Sequence, residues 1–104
     1  MFKYSVFAVL LGLLGMSAIA DQTDLGKIVY TQGHVAANCR TVKFKENQTG
    51  VEMYFRIADS TSDDDVSSIV LAAMMTSRDV SIFYNPGETT GCGTEPKIVY
   101  VTIY

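Results

Sequence analysis

A mainly β fold with one helix is what this sequence predicts, and two observations carry it. Apolar and polar residues alternate in three short early segments. The period then changes once, to that of an amphipathic helix, before two more β-rich segments close the chain. The order is therefore β-β-β-α-β-β. Five short strands bury little core as one flat sheet, but they curl into a partly open barrel with the helix plugging one end, the arrangement of an OB-fold. A flat antiparallel sheet with the helix across one face is the alternative.

"GKIVYTQ", residues 26–32, is the first strand, with Ile28 and Tyr30 expected on one face and Val29 on the other. Gly33 and Asn38 punctuate the break that follows. In "CRTVKFKE", residues 39–46, Val42 and Phe44 face one way and Thr41, Lys43 and Lys45 the other. Arg40 falls on the apolar side, so the first residues of that segment are assigned to the preceding loop. "NQTG", residues 47–50, has the length of a hairpin turn in which Gly50 supplies a positive φ. The third strand, "VEMYFRI" at 51–57, is the clearest: Val51, Met53, Phe55 and Ile57 go to the core side, Glu52, Tyr54 and Arg56 to the other.

Polar "ADSTSDDD" ends that pattern. Val66, Ile69, Val70, Ala73 and Met74 then recur at helical spacing, with Leu71 and Met75 widening the stripe, and predict a helix over about residues 63–77. Ser62 followed by Asp65 fits an acidic capping box. Asp63 and Asp64 sit where free helix N–H groups favour anions, and Arg78 lies near the opposite end. "DVSIFY", 79–84, returns to β character, "NPGETTGCGTEP", 85–96, reads as a twelve-residue loop, and "KIVYVTIY", 97–104, is the closing strand.

The start of the chain, "MFKYSVFAVLLGLLGMSAIADQ", places Lys3 before an apolar run from Tyr4 to Ala20 and ends in the small-residue pattern Ala18-Ile19-Ala20. This predicts a secretory signal peptide over residues 1–20 rather than a retained span, which needs roughly 20 apolar residues. Residues 21–104 then form one small domain, secreted or periplasmic, with no stable membrane span once the signal is removed. It carries seven basic and eleven acidic side chains, a formal charge of −4. With no Lys/Arg cluster to track phosphates, nucleic acid is excluded as a partner.

Two cysteines, Cys39 and Cys92, remain. They pair with each other, stay free, or bridge to another chain; an oxidising compartment and a small core favour the intramolecular disulfide. Oxidised, Cys92 serves neither as a nucleophile nor as a metal ligand. His34 is the single histidine, without the ligand cluster that zinc, copper or haem requires. Asp59, Asp63, Asp64 and Asp65 lack calcium-loop spacing and are explained as acids at a helix start. No carboxylate pair stands out as an acid and a base. The domain is therefore expected to be no enzyme, with no metal and no cofactor. "NQT", 47–49, matches the N-glycosylation pattern.

The candidate ligand-binding residues are Tyr54 and Arg56, on the outer side of the third strand, with Lys43 nearby on the second. Tyrosine and arginine are frequent anchors because they combine rigid contact with directed hydrogen bonds, and a sugar is recognised by such stacking and polar contacts. Phe83, Tyr100 and Tyr104 mark either a second core side or an edge that another chain covers.

The segment "SSIVLAAMMTSRDVSIFY", the Gly-Cys-Gly loop and "KIVYVTIY" resemble the C-terminal half of small exported bacterial OB-fold proteins related to the B subunits of subtilase-type and pertussis-like A–B toxins. The likeness covers about residues 63–104. It implies a ring-forming homo-oligomer, commonly a pentamer, that binds cell-surface glycans. No sugar-binding residue of the family maps onto residues 21–57. The leading expectation is thus an exported, noncatalytic glycan-binding module. The alternatives are a periplasmic or envelope module that binds or inhibits another protein, and a small secreted hydrolase with converging ionisable groups.

Overall fold

The computed structural model describes residues 21–60 and 63–104; the expected signal peptide, 1–20, and the capping residue Ser62 lie outside the described residues. The elements in chain order are β1 (Asp21–Gln22), β2 (Gly26–Gln32), β3 (Arg40–Glu46), β4 (Glu52–Ile57), α1 (Asp63–Thr76), β5 (Val80–Thr89) and β6 (Pro96–Ile103). A 3-10 turn, Ala37–Cys39, leads into β3. Strand neighbours run β1-β5-β2-β3-β4-β6, and β6 returns to β5. β2 to β6 therefore close an OB-fold-like barrel, and the flat-sheet alternative falls away. Closure is narrow at two junctions, Gly26 against Val80 and, in parallel, Arg56 against Lys97.

The barrel interior is built by the inward residues of each strand, with Val42, Phe44, Phe55, Ile57 and Ile82 fully buried. Phe44 meets Phe55 edge-on at 6.5 Å, and Tyr84 packs edge-on against Phe55 at 4.9 Å. Each of the two fully buried phenylalanine rings contributes about 1.5–3 kcal/mol by leaving water. Helix α1 lies against β2, β4 and β6 and inserts Val66, Val70 and Ala73 into this core. Its buried stripe is narrower than the periodicity predicts. Leu71 and Met75 are exposed and Ile69 is at the surface, because a barrel end offers the helix a smaller contact than a sheet face does. The helix ends in a Schellman arrangement: Ser77 takes φ 53°, its N–H donates to the Met74 carbonyl, and Arg78 N–H donates to the Ala73 carbonyl. Arg78 lies past the last turn, and its guanidinium donates to the Tyr104 carbonyl instead of complementing the helix dipole.

Four further expectations are corrected. The polar lead forms strand β1, held by Thr23, whose N–H donates to the Ile82 carbonyl and whose Oγ1 accepts from Ile82 N–H, each at 2.9 Å. Val51 is exposed because β4 begins one residue later, while the turn before it does form, with Gly50 at φ 71°. Arg40 belongs to β3: at the barrel mouth its guanidinium donates to the carbonyls of Ala37 and Ala58 and reaches Asp64, so a cation tolerates the inward side. The twelve-residue loop shrinks to residues 90–95, since β5 and β6 pair as far as Thr89 against Pro96. A register shift lies between Asn85 and Thr89, where Pro86, lacking an N–H, is tolerated. Of the two readings open for Phe83 and Tyr100, the core side falls away, because they stack on the outer surface, 4.6 Å apart and nearly parallel.

Candidate functional site

The outer surface of β2, β3 and β4 is set by antiparallel register. Thr41 stands opposite Arg56, Lys43 opposite Tyr54, and Lys45 opposite Glu52. On the β2 side the register shifts between Ile28 and Tyr30, so Val29 is an extra residue in a β-bulge and Tyr30, not Val29, comes to stand opposite Lys43. Strict alternation predicts Tyr30 on the core side with Ile28. The bulge turns it outward.

Three side chains consequently meet in one row. The Lys43 ammonium lies 5.8 Å from the centroid of the Tyr30 ring and 5.5 Å from that of Tyr54, within the range of cation–π attraction. It also bridges to Glu52 at 3.1 Å. Hydrogen bonds to the Glu52 carboxylate and the Tyr54 hydroxyl stabilise the charged form, so the Lys43 pKa stands above its ordinary 10.5. Lys43 is thus a fixed cation, largely covered, whereas the Tyr54 ring is 43 % exposed.

Arg56 sits one row nearer the loops and is turned towards them. Its Nε donates to Glu95 at 3.1 Å, and its Nη1 donates to the Cys39 carbonyl at 2.5 Å and to Thr41 Oγ1 at 3.1 Å. Cys39 and Cys92 form a disulfide across 53 sequence positions. This joins the β2–β3 loop to the β5–β6 loop. Asn38 and Thr90 add a reciprocal pair: Asn38 Nδ2 donates to the Thr90 carbonyl and Thr90 Oγ1 to the Asn38 carbonyl. The rim above the tyrosines is therefore pinned by one covalent bond and by the Arg56 network. In OB-folds, these two loops and the strand face between them are where oligosaccharides and oligonucleotides bind.

Of the residues expected to bind ligand, Tyr54 and Lys43 stand together on this face, and Arg56 adjoins them as the tie between face and rim. Tyr30 was missed. "IVY" is apolar throughout, so nothing in its local pattern distinguishes the bulged register from the regular one. His34 is exposed in the β2–β3 loop, where its Nδ1 accepts the Ala36 N–H. Among the described residues no group of three or more His, Cys, Asp or Glu gathers where a metal ion could be held, and no helix is long and apolar enough to cross a membrane. The disulfide fits folding in an oxidising compartment.

The Arg56–Glu95 pair makes the rim acid-sensitive. Glu95's own backbone N–H, then Arg56, hold its carboxyl below the ordinary 4.5. A carboxyl whose pKa is depressed by folding contributes stability that is present above the unfolded value and lost as pH falls through the folded one. The parent should therefore lose more stability than Glu95→Gln on acidification below pH 4.5, as read by urea titrations at stepped pH; parallel acid profiles for the two would refute this.

Fold and face together define a small OB-fold-like barrel with a disulfide-joined rim above an aromatic face. Comparison of the chain with family models, curated proteins and solved structures returns no significant match.

Proposed function

We propose that this protein is an exported, noncatalytic module that binds oligosaccharides on the outer face of β3 and β4, as the B subunits it resembles bind surface glycans. One observation carries the reading: Tyr30, Lys43 and Tyr54 stand in a row beneath two covalently joined loops, at the OB-fold's usual ligand position. Tyr54 offers an open ring to a sugar's C–H face, and the fixed cation and carboxylate beside it offer hydrogen bonds to hydroxyls. The alternative ligand of this face, a nucleic acid, is disfavoured by the net charge of −4 over residues 21–104. Arg56 serves the site by fixing the rim.

Tyr54→Ala should leave the thermal midpoint nearly unchanged and weaken glycan binding by about tenfold or more, the scale of an exposed aromatic anchor. A glycan array followed by titration calorimetry measures this. Unaltered affinity, or no glycan bound by the parent, defeats the reading. Arg56 substitution is a poorer probe, since it also releases the Cys39 carbonyl and Glu95.

A second reading, self-association into a ring, is favoured by β6. It meets β4 through one residue pair only, so its C-terminal half keeps a side without a strand partner, and Val99, Tyr100 and Tyr104 nearby are exposed. Native mass spectrometry should find a homo-oligomer that Tyr100→Lys dissociates; a monomer at tens of micromolar, roughly the range of weak self-association, would exclude it.

A further inference from the structure

We infer that the β-bulge at Val29 is a site-building device, and that Tyr30 is a second sugar platform which makes the ligand a saccharide of at least two units. This rests on the saccharide reading above and names its ligand class and a further binding residue.

Regular alternation along β2 would send Tyr30 inward behind Ile28, which is 7 % exposed. The extra residue shifts the register so that Ile28 pairs with Phe44 and Tyr30 with Lys43. Bulges of this kind re-aim a side chain, and they concentrate beside functional sites. The cost is visible locally: Val29 is left 44 % exposed without a cross-strand partner. What the bulge achieves is a symmetric arrangement, with one tyrosine on each strand flanking β3 and Lys43 between them.

The spacing sets the ligand's length. Tyr30 and Tyr54 are two strand separations apart, about 10 Å between backbones. That exceeds the reach of one pyranose ring, so a chain lying across the strands needs at least two units to touch both tyrosines. Lys43 is a positioning residue here. Held by Glu52 and flanked by both rings, it keeps the tyrosines apart instead of letting them collapse together. The disulfide-joined rim lies on the Arg56 side of this row.

The test uses an array of mono-, di- and trisaccharides of neutral and acidic sugars, read with the parent, Tyr30→Ala, Tyr30→Phe and Tyr54→Ala proteins. The parent should bind disaccharides at least about tenfold tighter than their component monosaccharides, the factor expected of one added anchor. Tyr30→Ala should lose that gain while keeping residual monosaccharide binding and its thermal midpoint. Tyr30→Phe should retain the gain, since the ring is kept. Monosaccharides bound as tightly as disaccharides, or Tyr30→Ala binding like the parent while Tyr54→Ala is impaired, would overturn the inference and leave the saccharide reading standing. A parent that binds nothing on the array would remove both.

Discussion

Breaking the Cys39–Cys92 bond, by Cys39→Ala with Cys92→Ala or by reduction, is expected to cost about 4 kcal/mol of folding stability. The figure follows from the 53-position loop that the bond closes in the unfolded chain. A domain of this size has only about 4–13 kcal/mol in total, so the reduced form stands close to the unfolding threshold. The effect reaches the proposed site as well. Without the bond, the side-chain hydrogen bonds that still join the β2–β3 and β5–β6 loops among the described residues are the Asn38–Thr90 pair and those of Arg56, which spans Cys39 and Glu95. Urea unfolding of oxidised parent and double variant should show a midpoint lower by roughly 1 M or more in the variant. Coincident curves would mean that the bond constrains nothing the fold does not already hold.

Gly26→Val should destabilise by about 3 kcal/mol or more, the upper range for forcing atoms into a filled interior. Gly26 is buried at the start of β2, paired with Glu46 on one side and Val80 on the other. A Cβ at this position would collide with the Lys45 carbonyl oxygen and the Phe44 ring. Both are immovable in this setting, one being backbone and the other the fully buried ring at the centre of the core. Because Gly26–Val80 is the single register pair between β2 and β5 among the described residues, the collision falls on one of the two narrow junctions that close the barrel. Gly26→Ala should already cost about 1–3 kcal/mol, although alanine normally outperforms glycine in a strand. Gly87→Ala is the control. Nothing lies near its Cβ position, and it should change stability by less than about 0.5 kcal/mol. Equal effects at both glycines would refute the packing argument.

The strands and helix were legible because their signals are local. Phe55 and Ile57 alternate with Tyr54 and Arg56, and Val66, Val70 and Ala73 recur at helical spacing, so burial is written into the order of residues. The disulfide was legible from composition and expected compartment: only Cys39 and Cys92 are present, and an exported small domain favours their pairing over free thiols or a bridge to another chain. Half of the candidate site was readable on the same terms. Lys43 and Tyr54 fall on the outer face of well-patterned strands and turn out to be cross-strand partners. Arg56 was placed on the correct face, but its hydrogen bonds depend on loops more than fifteen residues away in sequence.

What stayed hidden depends on partners. β1 carries two polar residues and no periodic signal; it is a strand because β5 lends it hydrogen bonds. Residues 85–89 hold Asn, Pro and Gly, which punctuate turns in isolation, yet they continue β5 because β6 lies alongside. Leu71 and Met75 look like core and are exposed, since the helix meets the end of a barrel and not a broad sheet.

The sequence by itself determined the number and kind of the main elements, the inner and outer residues of β3 and β4, and the cysteine pair, all of which follow from side-chain period and composition. Only the tertiary structure decided that the barrel closes at Gly26, that the disulfide joins the two loops above one strand face, and that Tyr30 turns outward. Each of these is a question of register between segments distant in the chain. Register is set where whole strands pack against a shared core, and no single segment carries it.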